Sequence, residues 1–289
     1  MNQDSELKIV HTMGVNNCGG RCVIHAHVRN GRIERITTDT AEAAGDGVPL
    51  AACVRGMNYH KTFLSEERLQ YPLLRTGKRG EGQFKRISWE EAVERIASEW
   101  IRIRDTYGPA SRYVHNSSGV RAVLRPDRFL KRLLALDGGY LNFYHSYSTA
   151  CTAQATKLVY GSTASGSSLE TLMYSKLILL WGHNPVETKF DCVTMYWLRK
   201  AREAGIPIIS IDPRQSDTTL ALGAEWIPIR PATDAALQDA MAYVLVEEDL
   251  YDREFLDRCC LGFDKEHMPE GADPGDCVLS YLTGEQDGI

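Results

Sequence analysis

Cys18, Cys22 and Cys53 constrain this chain more than any other residues. The segments Asn17-Cys18-Gly19-Gly20-Arg21-Cys22 and Ala52-Cys53-Val54-Arg55-Gly56 must meet if the three thiols share one task. Thiolate is the ligand an iron–sulfur cluster requires. The plainer alternative is three buried thiols, but tight spacing, flanking glycines and a following hairpin favour a metal loop. Val23, Ile24, Ala26 and Val28 lead into Asn30-Gly31, a two-residue hairpin signal, with Ile33 and Ile36 beyond it. Such a hairpin holds the loop rigid behind Cys22, and the small, polar stretch 39–50 returns Cys53 to the first pair. A cubane cluster needs four ligands, and the position where an evenly spaced fourth cysteine would stand is Gly14. His11 is the nearest imidazole and the candidate fourth ligand, set against a three-cysteine 3Fe–4S centre or an external ligand. Asp4 and Glu6 are more remote options.

The remaining cysteines separate by context. Cys192, Cys259 and Cys260 fall within apolar helical patterns and read as structural thiols, and Cys277 lies in a loose C-terminal segment. Eight cysteines in 289 residues are too few for a disulfide scaffold. A net charge of −5 with scattered Lys and Arg gives no nucleic-acid footprint, and no apolar run reaches the length of a membrane span. As written, the N-terminus has no export signal, so a cytoplasmic location is expected. A twin-arginine signal ahead of it would make the protein periplasmic or membrane-associated.

Further along, Ser88-Trp89-Glu90-Glu91 predicts a capping box. Trp89, Ala92, Val93, Ile96, Ala97, Trp100 and Ile101 then recur at helical spacing until Gly108-Pro109. Ser111 to His115 predicts a short strand. Helices are predicted from about Pro126 to Leu136 and from about Thr149 to Tyr160. From Ser175 strand and helix alternate. The strands are Leu177–Trp181, Pro207–Ile211 and Ala224–Ile229, with helices from about Lys189 to Ala204 and from Asp234 to about Glu247. Apolar strands separated by amphipathic segments predict a parallel sheet covered on both faces. Such sheets bind ligands beyond the carboxyl ends of their strands, where Gly182, Asn184, Asp212, Thr233 and Asp234 fall. No GxGxxG follows any strand, which argues against NAD. The fold class is therefore α/β. A small antiparallel iron–sulfur domain (1–63) precedes an α/β region (64–160) and a Rossmann-like dinucleotide-binding region (161–289). The last segment, from Pro269, shows no periodicity, and the chain is expected to be a fragment or one part of a split enzyme.

These motifs, in this order, resemble the N-terminal part of molybdopterin oxidoreductases of the dimethyl sulfoxide reductase family, in particular the catalytic subunit of its membrane-linked members. The resemblance is carried by both cysteine segments and by Arg86-Ile87-Ser88-Trp89-Glu90-Glu91-Ala92, Gly138-Gly139-Tyr140-Leu141-Asn142 and Tyr147-Ser148-Thr149-Ala150. It continues through Trp181-Gly182-His183-Asn184-Pro185-Val186-Glu187-Thr188, Ile211-Asp212-Pro213-Arg214 and Ile227-Pro228-Ile229-Arg230-Pro231-Ala232-Thr233-Asp234.

The resemblance implies a molybdenum held by two molybdopterin guanine dinucleotides, a 4Fe–4S or 3Fe–4S cluster, and two-electron reduction of an S- or N-oxide. The same scaffold acting on nitrate, polysulfide, selenate or an aromatic hydroxyl is the alternative, as is a non-catalytic fragment. The resemblance further implies a ferredoxin-like electron-transfer subunit and a membrane-anchor subunit as partners. Ser148 matches the serine that ligates molybdenum in some members; Cys151 is its rival, and a helix N-cap is the plain reading of Ser148. Arg55 matches a basic position between cluster and pterin. Gly182, Asn184, Pro185, Glu187, Thr188, Asp212, Arg214, Thr233 and Asp234 match the cofactor-binding stretches. Members usually carry Gly where this chain has Ala232. His145 precedes the serine and faces substrate or packs.

Overall fold

The computed structural model describes residues 6–14, 18, 21–40, 44, 45, 47–115, 125–144, 147–189 and 191–285. Two compact units divide the chain. One carries the residues up to Ile178 together with Asn184–Pro207; the other carries Leu179–His183 together with the residues from Ile208 on.

The first unit opens with an antiparallel sheet of β1 (Lys8–Met13), β2 (Val23–Arg29) and β3 (Arg32–Thr38), in that order. Asn30 at φ 51° and Gly31 at φ 74° turn β2 into β3, as a two-residue hairpin demands. Alternation along β2 buries Ile24 and Ala26, and Ile24 joins Cys22 and Ala52 in a small core against which Ile36 and Met57 pack. Helix α1 (Val54–Phe63) follows directly on Cys53. A short antiparallel pair, β4 (Leu73–Arg75) and β5 (Phe84–Arg86), leads to α2 (Trp89–Tyr107).

Ser88 caps α2 by accepting the Glu91 amide at 3.1 Å. Only half of the expected reciprocal box is seen in the side-chain contacts, because the Glu91 carboxylate turns to Arg95 at 2.9 Å. β6 (Tyr113–Val114) pairs parallel with β7 (Leu141–Asn142), on either side of α3 (Pro126–Leu136). The Gly138-Gly139 turn between α3 and β7 is held by Arg112, which donates to the carbonyls of Asp137 and Gly139 at 2.6 and 2.7 Å. Helix α4 (Tyr147–Tyr160) starts two residues earlier than its apolar pattern predicts.

The second unit is built on a three-stranded sheet in the order β10-β9-β8, from β8 (Ile178–Trp181), β9 (Ile208–Ile211) and β10 (Glu225–Ile227). β9 and β10 pair parallel. β8 runs the same way, since Ile178 donates to the Pro207 carbonyl and Gly182 to that of Ile211. Between β8 and β9 in sequence lies α5 (Thr194–Glu203), which belongs to the first unit and whose Met195, Leu198 and Ala201 recur on one buried face. Helix α6 (Asp217–Leu222) links β9 to β10 over a buried hydroxyl chain, in which Thr219 donates to Ser210 at 2.8 Å. α7 (Asp234–Glu247), α8 (Arg253–Cys259) and a short α9 (Val278–Leu282) complete the unit. The segment from Pro269, unreadable by periodicity, folds into a short 3-10 turn at Pro274–Asp276 and then α9.

Candidate metal and cofactor site

The three cysteines are gathered by backbone pairing that runs on past the sheet. Gly14 donates to the Cys22 carbonyl at 2.9 Å, extending the β1–β2 ladder by one position. Val23 donates to Leu50 at 2.8 Å and bridges in parallel to Ala51, which lays the returning segment beside β2. Thr38 locks that segment: its hydroxyl donates to the Val23 carbonyl at 2.7 Å and accepts the Ala52 amide at 2.6 Å. Cys53 therefore arrives next to Cys22, at the N-cap position of α1. Cys18, Cys22 and Cys53 open on one cavity of about 510 Å³. Burial pushes the Cys22 thiol up, and the charges of Cys18 and Cys53 push it further, while backbone amides at Cys22 and Gly14 pull it down. Three soft donors crowded this way, with amides facing a sulfur, fit an iron–sulfur cluster: its irons relieve the repulsion between thiolates.

Two features of the fourth position are settled by register. A Cβ built on Gly14 would lie 2.5 Å from the Cys22 sulfur, so a side chain there displaces the Cys22 thiol. His11, the expected fourth ligand, is not among the residues that line the cysteine cavity. His11 pairs with His25 across the ladder, and their rings meet edge to face at 4.6 Å. Cys22 shares the face of Ile24, and strand alternation puts His25, hence His11, on the other face.

A fourth cysteine, Cys192, stands at the same cavity and packs against the core of Cys22, Ile24 and Ala52. The sequence reading placed it inside a helix. The helix begins only at Thr194, because Asp191 turns the chain first: its Oδ1 accepts the amides of Val193 and Thr194 at 2.8 and 2.7 Å. The discoverable signal was the glycine at position 14 read together with a cysteine just after Asp191, a turn-forming residue.

Arg55 reaches from α1 to donate to the Glu187 carbonyl at 3.1 Å, within the first unit. That bond ties the cysteine loop to the turn at Asn184–Thr188, which is closed by Thr188 donating to Asn184 at 2.9 Å and which includes Pro185. In the second unit the strand ends converge. Trp181, ending β8, donates its indole N–H to Asp234 Oδ1 at 2.7 Å, and Trp226 of β10 donates to the Asp212 carbonyl at 2.8 Å. Asp212 Oδ1 accepts the Arg214 amide at 3.2 Å, and Thr233 donates to the Arg230 carbonyl at 2.8 Å. Gly182 takes φ 55° and Ala232 φ 66°. Carboxylates and turn amides at the ends of parallel strands suit a ribose diol and a base edge. Cys151 is exposed on α4, three residues beyond Ser148. The side chain of Ser148, and His145 entirely, lie outside the described residues.

Among the described residues, Asp257, Asp264 and His267 form another cluster of ligand-type atoms. Arg253 pairs with both carboxylates, at 2.9 and 2.8 Å, which makes this cluster an ion-pair network.

The molybdopterin oxidoreductase Fe4S4 domain model matches residues 7–65, and the molybdopterin oxidoreductase model matches residues 68–265. The dimethyl sulfoxide reductase DmsA of Escherichia coli is 38% identical over 99% of this chain and 36% of its own length. The dimethyl sulfoxide/trimethylamine N-oxide reductase of Cereibacter sphaeroides is 30% identical over 78% of this chain and 29% of its own. The chain thus spans about a third of the curated relatives it matches. Among solved structures, the acetylene hydratase of Pelobacter acetylenicus superposes with a TM-score of 0.64 at 26% identity. That match covers 94% of this chain and 38% of the hydratase.

Proposed function

This chain belongs to the molybdopterin oxidoreductase family, and we propose that it serves the two-electron reduction of an S- or N-oxide by oxygen-atom transfer at molybdenum. Cys18, Cys22 and Cys53 would hold the iron–sulfur cluster, which would supply the electrons. The observation that carries this reading is the bond from Arg55 to Glu187, which joins the cysteine loop to the Asn184–Thr188 turn. A guanidinium beside Cys53 would favour a reduced, more negative cluster, and its planar N–H groups would suit a pterin edge.

In this reading residues 1–63 form the cluster domain, 64–160 lead to the metal ligand, and 161–289 bind dinucleotide. Two molybdopterin guanine dinucleotides hold the molybdenum, which supplies the oxygen-atom chemistry when bound. Asp212 and Asp234 accept from sugar hydroxyls or base N–H groups, with Arg214 and Thr233 beside them. Gly182 lets the backbone approach closely, and Asn184, Pro185, Glu187 and Thr188 shape the pterin side. Ser148 donates the protein's oxygen ligand, with Cys151 as the alternative. The relatives named for dimethyl sulfoxide and trimethylamine N-oxide favour an oxide over nitrate or selenate. A ferredoxin-like subunit supplies the electrons from a membrane-anchor subunit. The chain functions in the cytoplasm, or in the periplasm if a twin-arginine signal precedes it.

Metal analysis and viologen oxidation of anaerobically purified protein test the proposal. Iron and molybdenum together with faster oxidation of reduced viologen by dimethyl sulfoxide or trimethylamine N-oxide than by nitrate are expected. Protein holding neither metal, or a preference for nitrate, overturns it.

A further inference from the structure

We propose that Cys192 is the fourth thiolate of the cluster, filling from a distant segment the position that Gly14 leaves without a ligand. The inference rests on the reading that Cys18, Cys22 and Cys53 hold an iron–sulfur cluster. Three observations converge on it. Cys192 lines the cavity that the other three cysteines line, and it packs on the buried core that contains Cys22. The backbone amide of Arg21, the residue before Cys22, faces its sulfur. N–H groups directed at sulfur are a recurrent means of tuning such clusters.

His11, Asp191 and Glu203 are each placed or engaged elsewhere. His11 sits on the opposite face of the sheet. Asp191, also at the cavity, spends its carboxylate on α5: Oδ1 accepts two amides and Oδ2 accepts the Thr194 hydroxyl at 2.5 Å. That turn places Cys192 between Asp191 and the start of α5. Glu203 lies at the far end of α5 and pairs with Lys200 at 3.2 Å. The cation Arg199 also lines the cavity, which suits the net negative charge of a four-thiolate cluster. On ligation the S–H bond breaks, its proton passes to solvent, and the thiolate forms one sulfur–iron bond, with no change in oxidation state.

The test compares wild type with Cys192→Ala, Cys192→Ser, Cys22→Ala and, as a control, Cys259→Ala. Each is purified anaerobically as the full chain, with circular dichroism to check folding. Wild type is expected to hold about four irons per chain and to show a 4Fe–4S EPR signal when reduced. Cys192→Ala should fall to about three irons and show a 3Fe–4S signal when oxidised. Cys192→Ser should alter the reduced spectrum, and it decides the matter if the alanine variant does not fold. Cys259→Ala should change nothing. Four irons and unchanged spectra in both Cys192 variants overturn the proposal, as does a three-iron wild type. Loss of iron in Cys22→Ala would meanwhile leave the cluster reading standing. An iron-free wild type removes that reading and this inference together.

Discussion

Ala232 adopts a backbone φ of 66° immediately before the cap of α7, a conformation in which a Cβ crowds the following carbonyl. The family resemblance leads one to expect glycine here, and the backbone conformation gives a physical reason for it. Removing the methyl relieves about 1–2 kcal/mol of strain, against about 0.4–1 kcal/mol of added freedom in the unfolded chain. Ala232→Gly should therefore raise stability by up to about 1.6 kcal/mol, seen as a small rise in Tm by calorimetry. A lower Tm contradicts the reading. Arg55 carries a functional prediction at the same scale. Its guanidinium leaves α1 next to Cys53 and reaches Glu187. Loss of that charge in Arg55→Gln removes stabilisation of the reduced cluster, so the midpoint potential should fall by tens of millivolts, on the order of one charge interaction across a partly solvated site. An EPR-monitored redox titration reads the shift. An unchanged potential places Arg55 outside electron transfer.

At the level of elements, caps decide more than propensity does. Apolar spacing alone starts α5 at Lys189, whereas the Asp191 turn delays it to Thr194 and frees Cys192 from the helix. A second cap has a measurable consequence. Asp264 accepts the amides of Glu266 and His267 at 3.1 and 2.9 Å and meets the His267 ring at 2.8 Å. That ring contact is the main cause holding the Asp264 carboxyl below its ordinary range, and it likewise holds His267 above its own. The raised His267 contributes stability that is full below its unfolded value of 6.5 and fades as pH rises through the folded value. The lowered Asp264 contributes stability present above 3.8 and lost as pH falls through its depressed value. The Tm difference between wild type and Asp264→Asn should thus be largest near pH 5, by this linkage, and shrink toward pH 8 and pH 2. Above pH 7 a remainder persists, because Arg253 still pairs with Asp264 at 2.8 Å. A difference that is flat with pH removes the histidine from the account.

Across the whole molecule, pattern reading recovered strand and helix types because burial alternates with period two along β2 and recurs along α5. It also placed Gly182, Asp212 and Asp234 at strand ends, since an apolar run that stops at a polar residue marks where a strand leaves the sheet. Pattern was a poorer guide to burial. The stripe of Trp89, Val93, Ile96 and Ile101 on α2 is regular, yet these side chains stay between 47% and 65% exposed in the described structure. Periodicity reports which face is apolar and is silent on what covers it. By itself the sequence determined the α/β class, the grouping of Cys18, Cys22 and Cys53 around one loop, and the glycine at position 14, all of which are local in spacing and residue type. Only the tertiary structure put His11 on the face away from Cys22, because strand register is a property of two paired segments. Only it carried Cys192 to the cysteine cavity, because a contact between residues so far apart in sequence is fixed by the packing of the turn before α5 on the hairpin.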